Sequence, residues 1–341
     1  MKKKVLVAMS GGVDSSVAAY LLKRQDYTVA GVTMQLGVSD AVADARKVCD
    51  VLGICHHVLD LRADMEACVI DNFVREYERG RTPNPCVRCN AHLKFGRMLA
   101  FAREHGFDAL ATGHYARIEI GDDGVPFLCR GLDPRKDQTY FLYPVKKPDL
   151  YNILMPLGGL TKDEVRAIAA AARLPAAHKS ESQDVCFIRG ISSGDFAASR
   201  SVRVRPGDVV DMSGIVLGRH KGIVHYTRGQ RGGLGIAVGR PVYVVDVDAE
   251  NNRIVLGDKR DLRSSGLVTG PVNLLVDRLP QRLLVKIRYA HKGVMSSVHM
   301  NDNGTAEVIF DQPQEAVTPG QSAVFYDGDT VCGGAVIERP M

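Results

Sequence analysis

No apolar run in these 341 residues approaches the roughly 20 needed to cross a bilayer, which argues against a membrane-spanning helix. Met1-Lys2-Lys3-Lys4 leads into only a few apolar residues, too short for a signal-peptide core, so the expected location is the cytoplasm. Low-complexity tracts and internal repeats are also missing, and the composition is that of a globular protein. Eight cysteines without a secretion signal argue against a disulfide framework and for thiols that are buried, catalytic or metal-bound. Only one C-x-x-C pair occurs, Cys86 and Cys89, whereas a structural zinc site commonly draws four ligands from two such pairs. A net charge of +5 is too mild to identify a nucleic-acid binder, and the length suggests two or three domains in a chain expected to be a monomer.

What is present begins at S-G-G-V-D-S, Ser10 to Ser15. It follows the apolar run Val5 to Met9, a buried parallel-strand signal, and precedes Val17 to Leu22, which reads as a helix. Strand, tight loop and helix form a phosphate cradle: Gly11 and Gly12 allow close backbone approach, Ser10 and Ser15 supply hydroxyls, and the helix N-terminus attracts an anion. The G-x-x-x-x-G-K-[ST] spacing and its lysine are lacking, so terminal phosphoryl transfer is disfavoured and pyrophosphate departure favoured. S-G-G-x-D-S is the signature of the PP-loop ATP pyrophosphatases, and Asp14 can help hold Mg²⁺ against the leaving pyrophosphate.

The first half alternates strand and helix. Strands are expected over residues 27–34, 57–61 and 109–112, with helices over 41–52, 64–78 and 91–105. This rhythm implies an α/β fold whose parallel sheet is covered on both faces, with the ligand beyond the strand C-termini where the Ser10 loop, Met34 and Gly113 converge. Gly121-Asp122-Asp123-Gly124 marks a hairpin, and Thr161 with Glu164 forms a capping box ahead of a helix closed by Pro175. Beyond about Asp195 helical periodicity disappears, and short strands between turn signals read as one or two small β modules of barrel type. Arg200, Arg203, Arg205, Arg219, Lys221, Arg228 and Arg231 face only Asp208 and Asp211 within one segment, a candidate phosphate-backbone footprint or a solvated charged face.

Cys86 and Cys89 lie in R-T-P-N-P-C-V-R-C-N, where Pro83 and Pro85 are expected to hold an extended loop ahead of a helix near Ala91. A thiol at a helix N-terminus beside Arg88 should have a lowered pKa. Cys186 follows a polar stretch, S-E-S-Q-D, and the trio fits redox or cluster chemistry. Cys49, Cys55, Cys68, Cys129 and Cys332 read as inert core thiols.

S-G-G-V-D-S-S from Ser10, G-R-T-P-N-P-C-x-x-C-N ending at Asn90, T-G-H-Y from Thr112 and G-L-D-x-x-K-D-Q-x-Y-F-L from Gly131 stand in that order. C-F-I from Cys186, G-Q-R-x-G-L-G-I from Gly229 and V-T-P-G-Q-S-A-V-F-Y ending at Tyr326 follow them. With this set the chain resembles the bacterial tRNA-specific 2-thiouridylase family (MnmA, TrmU) over essentially its whole length. The resemblance implies a PP-loop ATP-binding domain at 1–194, a small central β domain at 195–270 and a C-terminal β-barrel at 271–341 that binds tRNA. It implies that Ala8, Met9, Ser10, Gly11, Gly12, Val13, Asp14 and Ser15, with Met34 and Gly113, form the ATP site. It further implies that Cys186 carries a persulfide and Cys89 resolves it as a disulfide, with Asp14 completing the catalytic set. Asn84, Pro85 and Cys86 match residues that meet the target base, and His114, Lys136, Asp137, Gln138, Arg288, Tyr289 and Gln321 match tRNA contacts.

Two departures stand out. The best-known members carry Asp where this chain has Cys86, and Gln35 to Asp40 is a short bridge where similar members have a longer insertion. The implied reaction is ATP-dependent 2-thiolation of the wobble uridine of tRNAs for Lys, Glu and Gln, fed by a persulfide or sulfide donor. An alternative is the same reaction on an iron–sulfur cluster held by Cys86, Cys89 and Cys186. Rivals of another class are a PP-loop amide ligase, which needs no cysteine, and a non-catalytic tRNA-binding protein, which needs no S-G-G-V-D-S.

Overall fold

The structure, a computed structural model, describes residues 2–37, 40–179, 185–188, 190–236 and 238–341. The chain opens with β1 (Lys4–Ala8), α1 (Val13–Arg24), β2 (Thr28–Gln35), α2 (Ala41–Leu52) and β3 (His56–Asp60). Three residues of β1, Val5, Leu6 and Val7, are fully buried because helices cover both faces of the sheet they centre. Two long helical runs follow. The first is α3 (Arg62–Met65), a π-helical segment at Glu66–Ile70 and α4 (Asp71–Glu78); the second is α5 (Pro85–Cys89), a π-helical segment at Asn90–Met98 and α6 (Leu99–Glu104).

Next come β4 (Ala109–Ala111), β5 (Ala116–Ile120), β6 (Pro126–Arg130), β7 (Ile153–Leu154) and α7 (Lys162–Ala171). The first sheet has the order β3-β2-β1-β4-β7, parallel throughout. Its order reverses between β1 and β4, so a crevice opens at their C-terminal ends, where the Ser10 loop and Gly113 lie. The α/β fold expected from the alternating pattern is therefore present, and the capping box at Thr161 and Glu164 is formed.

The hairpin around Gly121 to Gly124 forms as β5 and β6, yet it does not join the parallel sheet. It pairs through Cys129 and Thr330 with the last strand of the chain. Helical structure also extends further than the sequence suggested: α8 (Ser193–Arg200) is capped by Ser192, whose hydroxyl accepts from the Asp195 amide at 3.1 Å. Eight residues give too few turns for a periodic signal, and the cap was the only available cue.

A four-stranded sheet then forms from β8 (Gly207–Asp211), β9 (Val216–His220), β10 (Tyr243–Asp248) and β11 (Arg253–Gly257), in the order β10-β11-β8-β9. The last part holds β12 (Arg263–Thr269), β13 (Asn273–Leu274), β14 (Arg282–Lys286), β15 (Val294–Met300), β16 (Ala306–Glu315), β17 (Ser322–Asp327) and β18 (Thr330–Pro340). Strands β12-β16-β15-β14-β17-β18 close into an antiparallel barrel through the β12–β18 pairing.

One core runs through the junction of the first sheet and the barrel. Leu6, Leu110, Leu128 and Tyr140 belong to the same buried cluster as Val324, Tyr326 and Val331. Polar ties reinforce it: Tyr140 donates to the Ser322 carbonyl at 3.0 Å, and Arg81 bridges Glu76 at 2.7 Å and Glu338 at 2.6 Å. Among the described residues no helix is long and apolar enough to cross a membrane.

Candidate active site

The loop after β1 is held by its own polar atoms. The Ser10 amide donates to Ser15 Oγ at 3.2 Å, and the Ser15 and Ser16 hydroxyls donate to the Gly12 carbonyl at 3.2 and 2.7 Å. Gly11 has φ of +72°, and a Cβ there would lie 2.6 Å from Asp44 Cβ. Gly113 packs against the start of α1, where a Cβ would meet the Asp14 carbonyl carbon and the Ser15 nitrogen at 2.9 Å. Both positions therefore exclude a side chain. Ala8, Met9 and Val13 shape the loop from below, Met9 and Val13 being buried, and Met34 is half-buried near the end of β2. No side chain caps α1 at Gly12, so its first amides are not taken up by a capping group.

Asp14 projects from the first turn of α1. Its Oδ1 accepts from Tyr115 Oη at 2.8 Å and from Lys162 Nζ at 2.6 Å, while Oδ2 carries no hydrogen bond among the described residues. Lys162 is buried, at 3 % exposure, and was not singled out by the sequence; as the first residue of α7 it looks like an ordinary helix lysine. Lys179 also escaped notice. Its Nζ donates to the Gly11 carbonyl at 3.1 Å and pairs with Asp44. Two lysines from distant segments thus lie against a loop that has no lysine of its own.

The cysteine pair sits differently from the sequence expectation. The helix starts at Pro85 rather than near Ala91, with Asn84 as N-cap accepting weakly from the Val87 amide at 3.4 Å. Proline is favoured in a helix's first turn, where its missing N–H costs nothing, so Pro85 starts the helix instead of delaying it. Arg88 does not serve the thiols either; its Nε donates to the Cys68 carbonyl at 3.1 Å.

The pKa values of the Cys86 and Cys89 thiols move opposite to expectation. Burial pushes Cys86 and Cys89 up, and it pushes Cys186 up to about 11 with help from the neighbouring Cys89 and Cys86. In each case desolvation outweighs Lys94, the cation that opposes it. Cys86 and Cys186 keep exposed surface, so the direction of their shift reflects the protein packed around them and not full enclosure. That Cys186 feels both other thiols shows that the fold brings the remote cysteine to the pair. The polar stretch before it, residues 180–184, lies outside the described residues, as do residues 38 and 39 of the short bridge.

All eight cysteines are free thiols. Cys49, Cys129 and Cys332 are buried as expected, but Cys55 is exposed and Cys68 half-buried, so these two are not core thiols. For a cluster the fit is poor: among the described residues no group of three or more His, Cys, Asp or Glu side chains is placed to hold a metal ion.

The residues matched to RNA contacts divide in two. Arg288 and Tyr289 are exposed on the barrel, Tyr289 tilting over Phe141 at 4.7 Å. Gln321 reaches from the barrel to the Thr82 carbonyl at 2.9 Å, fixing the turn that leads to Asn84. By contrast Asp137 is buried, accepting from the Thr139 hydroxyl at 2.8 Å and the Gly131 amide at 3.3 Å. Gln138 accepts from the Tyr115 amide at 3.0 Å, and Lys136 between strands and turn is half-buried.

His114 is buried between Thr112 and Lys94, at 2.8 and 3.2 Å. Burial first, and Lys94 second, pull its pKa well below the ordinary value. An ammonium can only donate, so Nε2 accepts from Lys94 and Nδ1–H donates to Thr112 Oγ1.

The basic segment is partly neutralised: Arg200 pairs with Glu66, Arg219 with Asp208 at 3.5 Å and Lys221 with Asp195 at 3.5 Å. Arg228 turns inward to the Val245 carbonyl. Arg203, Arg205 and Arg231 are exposed, with no side-chain ion pair among the described residues.

Family models match most of the chain: a tRNA methyl transferase HUP domain at residues 3–190, a tRNA methyl transferase PRC-barrel domain at 196–258 and an aminomethyltransferase beta-barrel domain at 264–337. The chain is 50% identical over 352 residues to the tRNA-specific 2-thiouridylase MnmA 1 of Syntrophus aciditrophicus, covering 100% of this chain and 94% of that protein. It is 47% identical to the MnmA of Clostridium botulinum strain Alaska E43, covering 99% and 98%. With the MnmA of Clostridioides difficile the identity is 44%, covering 100% and 99%.

Proposed function

This chain belongs to the tRNA-specific 2-thiouridylase family, sulfurtransferases acting on tRNA uridine, and from that premise we propose a two-stage reaction on the wobble uridine of tRNAs for Lys, Glu and Gln. The observation that carries the proposal is the pairing of a lysine-supported phosphate cradle with three thiols in mutual electrostatic reach. Methyl transfer, the activity in two of the family-model descriptions, has no use for either feature.

In the first stage the uracil 2-carbonyl oxygen attacks the α-phosphate of ATP. Pyrophosphate departs from the Ser10–Ser15 cradle, and an adenylated base remains. The α1 amides and the ammonium groups of Lys162 and Lys179 oppose the charge of the phosphates. Asp14 Oδ2 is the oxygen suited to Mg²⁺, which when bound neutralises charge on the departing pyrophosphate. Activation is required because the carbonyl oxygen is a poor leaving group and AMP a good one.

In the second stage the terminal sulfur of a Cys186 persulfide attacks C2 and AMP leaves. The Cys89 thiolate then attacks Cys186 Sγ, forming the Cys89–Cys186 disulfide and leaving both electrons of the broken S–S bond on the uridine sulfur. A cellular thiol reductant reopens the disulfide. The base must leave its stack to reach the site, and Asn84, Pro85 and Cys86 at the start of α5 are the residues proposed to receive it. The barrel residues Arg288, Tyr289 and Gln321 are proposed to hold the tRNA body, and the chain to work as a monomer in the cytoplasm.

The proposal is tested by incubating the protein with ATP, Mg²⁺, unmodified tRNA and a persulfide donor, then digesting the tRNA to nucleosides for mass spectrometry. Thiouridine at the wobble position with one pyrophosphate released per sulfur is expected. Pyrophosphate release without tRNA, driven by a small carboxylic acid, would instead identify an amide ligase.

A further inference from the structure

Lys94 lies in the π-helical segment that continues α5, five residues beyond Cys89. In a π-helix the backbone bond runs from i to i+5, so the wide turn brings Lys94 beneath Cys89 on the same side of the helix. Its ammonium is half-buried, and its hydrogen-bond partner is the neutral ring of His114, at 3.2 Å. No carboxylate pairs with it among the described residues, whereas Arg97 and Arg103 of the same helical run and the buried Lys162 each have one. Burying part of a cation without a counter-ion is costly and points to an anion that arrives with the reaction.

We propose that Lys94, tethered by His114, is the catalytic cation of sulfur transfer, holding the anionic sulfur that passes between Cys186, the base and Cys89. This deepens the thiolation reading and rests on it. Three observations support the assignment. Among the described residues Lys94 is the one cation whose charge acts on all three thiols, opposing in each the larger effect of burial. Its tether is rigid, since His114 is itself buried and fixed by Thr112 at 2.8 Å, so the ammonium is pre-positioned rather than recruited. Finally, the tether is uncharged: a carboxylate in the place of His114 would cancel the field at the sulfurs, whereas a neutral acceptor leaves it in force.

Sulfur transfer makes anionic sulfur at each stage: the persulfide terminus before attack, the Cys89 thiolate as it resolves, and the thiouracil sulfur as the S–S bond breaks. One fixed cation serves all three positions only if each comes within its reach, and Cys89, Cys86 and Lys94 are all among the groups that act on Cys186.

The test separates charge from structure. Lys94→Gln keeps an N–H donor for His114 and removes the charge; Lys94→Arg keeps both. The first readout is the ratio of Cys89 and Cys186 alkylation rates by anionic iodoacetate and neutral iodoacetamide at one pH, which reports local potential and needs no tRNA. Lys94→Gln is expected to lower that ratio roughly tenfold, equivalent to about 1.4 kcal/mol, and Lys94→Arg to restore most of it. The second readout is single-turnover chemistry on tRNA: Lys94→Gln should release pyrophosphate at the parent rate yet form thiouridine at least about tenfold more slowly. An unchanged alkylation ratio, or equal slowing of both stages, would overturn the proposal and leave Lys94 a structural tether. If the parent forms no thiouridine the thiolation reading fails, while the alkylation ratio still decides whether Lys94 supplies the field.

Discussion

The phosphate cradle and the thiol site lie in the same domain but are built in opposite ways. The cradle is local: Ser10, Gly12 and Ser15 hydrogen-bond one another within six residues, and its shape follows from strand, glycine turn and helix. The thiol site is remote. Cys186 and the α5 pair come from distant parts of the chain, and what distinguishes them chemically is burial and a lysine on a π-helical turn. A local site keeps its geometry when its surroundings change, whereas the reactivity of an assembled site is set by those surroundings.

The strongest way to break this comparison is to remove one member from each side. Cys186→Ser should abolish thiouridine formation while pyrophosphate release on tRNA continues. Asp14→Ala should act one stage earlier, losing adenylation and thiolation with it while keeping tRNA retention, as read by filter binding. Thiolation by either variant at the parent rate would dissolve the separation into two stages.

A smaller but sharper effect concerns pH. Burial raises the Cys186 pKa to about 11, so the neutral thiol dominates at pH 7 and the thiolate fraction grows with pH. Iodoacetamide labelling of Cys186, followed by peptide mapping, should rise about tenfold per pH unit between pH 7 and pH 10. A plateau beginning near pH 8 would mean that the sulfur is not desolvated in solution and that the site is not assembled as described.

Cys86 should matter less than either partner. In the persulfide route it stands beside the base, so Cys86→Ser should retain turnover and still form the Cys89–Cys186 disulfide detectable by non-reducing mapping. Loss of activity together with bound iron and sulfide, measured on anaerobically purified protein, would favour the cluster route.

The smallest effects are expected on the basic segment. Arg203, Arg205 and Arg231 lack ion pairs among the described residues, and replacing one that meets the tRNA backbone should reduce the salt slope of binding by up to about one unit. Replacing Arg219 or Lys221, already paired with Asp208 and Asp195, should change the slope less. Equal slopes for both groups would show the segment to be solvated surface.

The sequence by itself determined the cradle, the parallel α/β pattern, the Gly121–Gly124 hairpin and the cap at Thr161, because each is written in neighbouring residues whose backbone preferences are local. Only the tertiary structure decided the rest. It sent the β5–β6 hairpin to the barrel, paired Lys162 with Asp14 and started α5 at Pro85. It also raised the pKa of Cys86 and Cys89, the pair expected to be lowered. The physical reason is desolvation: how far a sulfur or an ammonium is removed from water depends on every element packed around it, and no stretch of sequence contains that sum.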